Sequence, residues 1–296
     1  RRDAEPKVRG EARYTDDLHI PGLLHARLVT SPHAHARIVR IDTRAASQLP
    51  GVVAILTGQD LLPPGPEPAE RARHLLARDK VIFAGQPVAV VVADSPYTAA
   101  DAAELVAVEY EELPAVVDPL EAMRPDALAI RPKELEGEWA EAGMHATVSG
   151  GEELDVRRLP ANVTNAVRFH RGDVTQGFAS ADLVIERTYR TPFVHQSYLE
   201  PHASVAVPRP DGGVTIYTST QGMFYCRNVT ATTLGLPHEQ VTIVPMEVGG
   251  GFGGKTVLME PLVAAVALRL DRPVKLVLTR TEEFLLATPA PAAIFE

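Results

Sequence analysis

The sequence predicts an α+β fold with mixed sheets in two units. Three observations carry that expectation. An N-terminal region mixes short β-branched runs with one clear helix; from residue 118 to 160 Gly, Pro and charge dissolve every period; and after Asn162 strand-like runs resume, accompanied by two helical segments.

The elements follow in order. LLHARLVTS (23–31), ARIVRIDT (36–43) and VVAILTG (52–58) are β-branched, apolar and bounded by Pro or Gly, as strands are. VAVVVA (88–93) is apolar without interruption, which suits a strand covered on both faces. DSPYTAADAAELVAVEYEELP (94–114) reads as a helix running into a strand, because Ser95 suits the N-cap and Pro96 the first helical position. Within 118–160, WAEAGMHATVSGGEELDVRRLP sustains neither strand nor helix periodicity and reads as a connector.

Beyond it, VRFHRGD (167–173), ADLVIERTYRTPFVHQSYLEP (181–201), SVAVPRPDGGVTIYTSTQ (204–221) and VTIVPME (241–247) are predicted strands, the third holding Pro-Asp-Gly-Gly as a hairpin turn. MFYCRNVTATTLGL (223–236) is a predicted helix stopped by Gly235 and Pro237. TVLMEPLVAAVALRLD (256–271) is a predicted buried helix, and PVKLVLTR the strand after it. There is no internal repeat.

Composition excludes several classes of function. The 296 residues suffice for about two domains. A formal charge of -9 disfavours sequence-independent nucleic-acid binding, which needs a cationic surface to displace counterions. Cys226 is the single cysteine, so the chain's own thiols build neither a disulfide framework nor a four-cysteine zinc or iron–sulfur site. No run reaches the roughly 18 to 20 apolar residues of a membrane helix, and RRDAEPKVRGEARY lacks the apolar core of a signal peptide. The expectation is a soluble, cytoplasmic protein with no membrane partner. Prolines mark LLPPGPEPAE (61–70) and VDPLEAMRPDALAIRPKE (117–134) as connectors. The chain opens on Arg1 rather than Met and stops at ATPAPAAIFE without a capping or turn signal, so a piece of a longer chain is expected.

GGGFGGKT (249–256) satisfies two phosphate-binding patterns together: the P-loop, through Gly249, Gly254, Lys255 and Thr256, and the dinucleotide fingerprint, through Gly249, Gly251 and Gly254. Placed between a strand and a helix, consecutive glycine amides can converge on one anion. Both nucleotide readings lack a partner, however. The next strand ends in Thr279 and Arg280, with no acid to hold magnesium or a ribose. Pro245 and Met246 also suit a central parallel strand poorly. TSTQGMFYCR (218–227) puts Gln221 at a second strand–turn–helix junction, from which its carboxamide can donate to an oxo group while the glycine amides hold another part of the same cofactor. Capping of the following helix is the alternative for Gln221. His33 and His35 share a strand-like face and His195 and His202 flank YLEP, but four ligands at a recognised spacing are absent. Asp16 and Asp17 read as a solvated turn, Glu247 as a strand-end residue and Glu260 as a helix-face residue.

GEARYTDD (10–17), PGLLHARLVTSPHAHARIVRID (21–42), VIFAGQPVAVVVAD (81–94), VHQSYLEPHASVAV (194–207), TSTQG (218–222) and VPMEVGGGFGGK (244–255) occur in the order found in the molybdenum hydroxylases. Over essentially its whole length the chain resembles the large, molybdopterin-binding subunit of the xanthine dehydrogenase and aldehyde oxidase family. The resemblance implies an α/β hammerhead domain over 1–117, a connector over 118–160 and the first, truncated part of the cofactor-binding region over 161–296.

It also implies site residues. Gln221 would hydrogen-bond an oxygen ligand of molybdenum, and Phe252, flanked by Gly250, Gly251 and Gly253, would offer its backbone N–H to the same coordination sphere; Gly222 completes the TSTQG turn. These would be contacts to the metal's ligands, not to the metal. Thr256 stands where xanthine-oxidising members carry a substrate-contacting glutamate, so an aldehyde, carbon monoxide or another N-heterocycle is as suitable a substrate as a purine. The implied reaction is oxidative hydroxylation with water as oxygen source. Its glutamate base would lie beyond Glu296, so no catalytic base is assigned and the piece alone is expected to be inactive. The implied cofactors are molybdopterin, as the cytosine dinucleotide, with molybdenum here, and [2Fe–2S] clusters and FAD on partner subunits, in a hetero-oligomer such as a dimer of heterotrimers. The readings from other classes are a P-loop protein using Gly249–Thr256 and a hammerhead-type interaction module without catalysis.

Overall fold

The computed structural model describes residues 4–61, 75–130, 152–155, 158–164 and 166–296. Two compact units are present: Arg1–Leu113 with Val194–Ala290, and Pro114–Phe193 with Pro291–Glu296.

The first unit is built on β1 (Leu24–Thr30), β2 (Ala36–Asp42), β3 (Val52–Thr57), β4 (Lys80–Val81), β5 (Pro87–Ala93) and β6 (Ala107–Glu112), together with β10 (Ala203–Pro208), β11 (Val214–Thr218), β12 (Val241–Pro245) and β13 (Val274–Val277). Seven of these form one mixed sheet in the order β12-β11-β10-β13-β1-β5-β3, while β4-β2-β6 form a separate antiparallel sheet. The join between early and late strands is the parallel pairing of β1 with β13, Leu24 opposite Val274. It brings the 203–277 strands into register with the N-terminal hairpins.

Burial explains the apolar run at 88–93. All seven residues of β5 are buried. Val90 and Val92 enter the large core with Leu24, Leu28, Ile216 and Leu262, while Val91 enters a second cluster with Ala46, Ala102 and Val106 on the opposite face. A strand covered on both faces has no position for a polar side chain.

Local signals place several ends as expected. Ser95 Oγ accepts the Thr98 N–H at 3.0 Å and Pro96 opens the helix Pro96–Glu104. At the β10–β11 hairpin Gly212 takes φ 81°, its N–H donates to Arg209 O, and Asp211 Oδ1 accepts the Gly213 N–H. The helix Met223–Leu234 stops at Gly235, φ 65°.

Elsewhere the structure departs from the expectation. The helix expected over 256–271 spans only Glu260–Leu270 with Pro261 in its first turn, so residues 256–259 stay outside it. The expected strand after it stops at Val277, and Thr279 opens a further helix, Arg280–Leu286, through a capping box with Glu282.

In the second unit the strand expected over 181–201 shrinks to β9 (Tyr189–Thr191), paired with β14 (Ala293–Phe295). Pro192, which has no N–H to give, follows directly. The expected 167–173 strand shrinks to β8 (Val167–Arg168), paired with β7 (Glu152–Glu153). Asp173 instead caps the helix Val174–Ala179, its carboxylate accepting the Gln176 N–H at 2.9 Å. Inside the expected connector Asp118 caps Pro119–Ala122, and Asn162 Nδ2 donates to Ala122 O and Leu128 O while its Oδ1 accepts the Ile130 N–H. The proline-rich 62–70 and the stretch 139–151 lie outside the described residues. Among the described residues no helix is long and apolar enough to cross a membrane.

Candidate functional site

Two chain crossings beyond the ends of β11 and β12 meet. Gln221 follows β11 and precedes the helix at Met223, whose N-cap is Gly222 without any side-chain cap, so Gln221 does not cap it. Its main chain is tied instead to the segment after the glycine loop: Gln221 N–H donates to Lys255 O at 2.6 Å, and Thr220 Oγ1 donates to Thr256 O at 2.5 Å. The side chain then reaches back into the loop, where Gln221 Oε1 accepts from Gly253 N–H at 3.0 Å and from Lys255 N–H at 3.3 Å. With Oε1 so engaged, the Nε2 of this exposed carboxamide is left as a donor.

The loop folds tightly on itself. Gly250 and Gly253 take φ 98° and 91°, Phe252 takes φ 49°, and Gly254 N–H donates to Gly251 O at 2.8 Å. A left-handed Phe is unusual, and it turns its ring outward, 73% exposed. The N–H groups of Gly250, Gly251 and Phe252 meet no acceptor among the described residues. Glycine is required by close approach: a Cβ at 251 would stand 2.3 Å from Gln221 Oε1, and one at 250 would stand 2.9 Å from Tyr198 Cβ. These three donors form a short run of unbonded backbone N–H groups beside a side-chain amide. Such a set suits oxygen acceptors.

Lys255 points the other way. Its ammonium is buried, 2.7 Å from Glu200 Oε2 and 4.8 Å above the Tyr198 ring. Burial pulls its pKa below the usual lysine value, opposed by the Glu200 carboxylate. The helix after the loop begins at Glu260, five residues past Lys255. Both facts count against the P-loop reading, which needs the lysine on a phosphate and the loop against a helix N-terminus.

Behind Lys255 lies a buried polar cluster. Tyr198 Oη donates to Glu283 Oε2 at 2.8 Å, and His202 Nδ1 lies 2.9 Å from Glu283 Oε1, with the His202 N–H donating to the same oxygen. Burial raises the Tyr198 pKa, and the Glu283 charge raises it further. His195 Nε2 is 3.8 Å from Glu283 Oε2, and burial lowers the His195 pKa.

The remaining candidates have other partners. Thr256 faces Gly222, where a Cβ would meet its methyl at 3.0 Å. Glu247 pairs with Lys7 at 2.8 Å. Glu260, expected on a helix face, is the first residue of its helix and is buried there, accepting from Thr218 Oγ1 and Leu258 N–H, each at 2.8 Å. The His33 ring is tilted against Tyr110 and lies 3.4 Å from Glu112, while His35 is buried. Asp17 accepts the Tyr14 N–H, and Asp16 receives the buried Lys275 ammonium rather than facing solvent alone. Cys226 is buried and its thiol pKa pushed well up by that burial. Among the described residues no three His, Cys, Asp or Glu side chains gather as a metal site. Glu200, Tyr198 and Glu283 were not singled out from the sequence. The usable signal was Lys255 itself, since a lysine in a glycine-rich apolar stretch needs an acid nearby.

Comparison with known proteins matches residues 156–296 to the family described as "Molybdopterin cofactor-binding domain" and residues 9–114 to "Aldehyde oxidase and xanthine dehydrogenase, a/b hammerhead domain". The chain is 37% identical to a carbon monoxide dehydrogenase large chain of Hydrogenophaga pseudoflava, over 93% of its own length and 34% of that protein. It is 35% identical to a xanthine dehydrogenase molybdenum-binding subunit of Escherichia coli O157:H7, over 96% of this chain and 36% of the relative. It thus spans about a third of the curated relatives it matches. Among solved structures it resembles a reconstituted CO dehydrogenase from Oligotropha carboxidovorans, with TM-score 0.79, 33% identity and coverage of 98% of this chain and 35% of that one. The aldehyde oxidoreductase from Desulfovibrio gigas gives TM-score 0.79 at 28% identity, covering 98% and 31%.

Proposed function

From a chain that belongs to the aldehyde oxidase and xanthine dehydrogenase family of molybdopterin-binding proteins, we propose that the residues around Gln221 and Phe252 hold the oxygen ligands of a molybdenum cofactor in an oxidoreductase that hydroxylates a small molecule. The observation that carries this reading is the row of unpaired N–H groups at Gly250, Gly251 and Phe252 beside the Gln221 carboxamide. When bound, the cofactor supplies two-electron oxidation of an aldehyde, N-heterocycle or carbon monoxide, with oxygen taken from water.

The protein's own part is to bind and orient. Gln221 Nε2 and the Phe252 N–H would donate to oxygen ligands of the bound cofactor. Gly250 and Gly251 let the main chain approach, since side chains there would collide with Tyr198 and Gln221; Gly222 packs against the Thr256 methyl, and Gly253 takes φ 91° and gives its N–H to Gln221. Preorganised donors of this kind need no rearrangement as charge develops. Thr256, two residues past Gly254, is assigned to the substrate side, and its short side chain offers no carboxylate to a purine. The proton-abstracting glutamate is assigned to residues outside this sequence, and this segment alone is proposed not to turn over.

The remaining components extend the proposal. The only thiol is buried Cys226, which supports placing [2Fe–2S] clusters, and FAD with them, on partner subunits of a hetero-oligomer in a reducing, cytoplasmic compartment. The pterin is proposed as the cytosine dinucleotide. The two family matches flank residues 115–155, which supports domains at 1–117 and 161–296 joined by a connector.

The test is metal and pterin analysis of the complete protein produced with its partner subunits. Stoichiometric molybdenum with a pterin dinucleotide is expected. ATP binding abolished by Lys255→Ala, without molybdenum, would overturn the reading.

A further inference from the structure

One carboxylate oxygen ties both ends of the glycine loop. Glu200 Oε2 accepts the Gly249 N–H at 2.7 Å and the Lys255 ammonium at 2.7 Å, and the Glu200 N–H donates back to Gly249 O at 3.3 Å. Gly249 and Lys255 bracket the segment whose N–H groups at 250, 251 and 252 meet no acceptor among the described residues. The fit is close, since a Cβ at 249 would stand 2.5 Å from Glu200 Cβ. The ammonium is also fixed from the side by the Tyr198 ring, itself anchored through its hydroxyl on Glu283. A charge-assisted bond to a largely buried carboxylate is short and directional, which is what fixing the span between these two residues requires.

We infer that Glu200 and Lys255 are positioning residues for the cofactor site: their shared contact at Gly249 closes the glycine loop and sets where the Gly250, Gly251 and Phe252 N–H groups point. The inference rests on the functional reading above. Neither side chain touches the cofactor. They act through the backbone between them, so the lysine that suggests a P-loop serves the opposite face of the loop.

The pair's charge and its geometry can be separated. Glu200→Gln and Lys255→Met each leave one buried charge without its partner, whereas the double variant Glu200→Gln/Lys255→Met leaves none. In the complete protein the measurements are thermal midpoint, molybdenum retained after dialysis, the paramagnetic resonance spectrum of the reduced metal, and, in metal-free preparations, hydrogen exchange of the Gly253, Gly254 and Lys255 amides, which the closed loop bonds to Gln221 Oε1 and Gly251 O. Each single variant should exchange those amides faster and retain about fivefold less molybdenum, a change worth roughly 1 kcal/mol. The double variant should recover much of the thermal midpoint, yet keep the fast exchange and a shifted metal spectrum. A double variant whose exchange and spectrum match wild type would overturn the inference, because the pair would then serve stability alone. Absence of molybdenum in wild type would overturn the functional reading instead, and the exchange measured without metal would still decide whether the pair closes the loop.

Discussion

The Gln221 carboxamide rests directly on the Gly251 backbone, so closely that a Cβ at position 251 would fall 2.3 Å from its Oε1. Side chain and glycine are thus one device, drawn from two crossings 30 residues apart. Gly251→Ala must displace Gln221 or open the loop, and is expected to lose most of the molybdenum held by the complete protein. Gly212→Ala, at the β10–β11 hairpin, is the control. Nothing lies within 4 Å of its added methyl, and its φ of 81° costs about 1 to 2 kcal/mol without touching Gln221. Equal metal content in the two variants would count against the Gln221 contact.

Lys255 is expected to behave as a buried ion-pair member rather than as a phosphate ligand. Lys255→Ala leaves Glu200 largely buried without its cation, which costs about 3 kcal/mol and is read as a lower denaturant midpoint. Titration with ATP and magnesium should show no binding before or after the change. Amine-modifying reagents should label Lys255 only on unfolding, as peptide mapping can establish.

Acid should weaken the Tyr198–His202–Glu283 cluster in two stages. Burial lowers the His195 pKa beneath 6.5, so the unfolded chain takes up a proton first and stability falls as the pH drops from about 6.5. For Glu283 burial acts to raise the pKa, but the His202 side chain and N–H and the Tyr198 hydroxyl outweigh it and hold the carboxyl below 4.5. Its contribution is therefore present above the unfolded value and lost as pH falls through the folded one. Urea midpoints measured from pH 8 to 3 should show both losses. His195→Phe, whose ring would face Tyr198 and Phe284, should flatten the upper stage and Glu283→Gln the lower one. Unchanged slopes in these variants would remove the cluster as the cause.

What was legible in the sequence follows physical locality. The strand at Pro87–Ala93, the Ser95 cap and the Gly235 stop each depend on residues within a few positions, and each could be read. The approach of Gln221 to the glycine loop followed from two junctions of the same type in one sheet, with β11 and β12 paired in parallel. The Glu200–Lys255 and Tyr198–Glu283 contacts span 55 and 85 residues and carry no local signature. The run 181–188 has strand composition, yet Leu183, Val184 and Ile185 stay exposed and unpaired into a sheet, because propensity without a partner strand forms nothing.

One local signal is hidden by its context and is testable. Thr279-Arg-Thr-Glu282 is a capping box, hidden because the preceding apolar run draws the strand reading onward. Glu282 Oε2 accepts from both Thr279 N–H and Oγ1, at 2.7 and 2.8 Å. Thr279→Ala should lower stability by about 1 kcal/mol in denaturant titration, while Thr279→Ser should restore it. Loss of the cap loosens the helix that carries Glu283, so Glu283-dependent protection of Tyr198 should weaken with it.

Phe252 offers the sharpest separation of backbone from side chain. Its ring is exposed while its main chain sits at φ 49°, a conformation that costs a non-glycine residue about 1 to 2 kcal/mol. If the N–H is what the site uses, Phe252→Gly relieves the strain, keeps the donor and retains molybdenum, and Phe252→Ala, which keeps donor and strain, retains it as well. Phe252→Pro removes the N–H and demands a φ near -65°, so it should fold with the rest of the sheet intact and hold no metal. Metal content and circular dichroism of the three variants decide the matter. Loss of molybdenum in the Gly and Ala variants would place the function in the ring and withdraw it from the backbone donor.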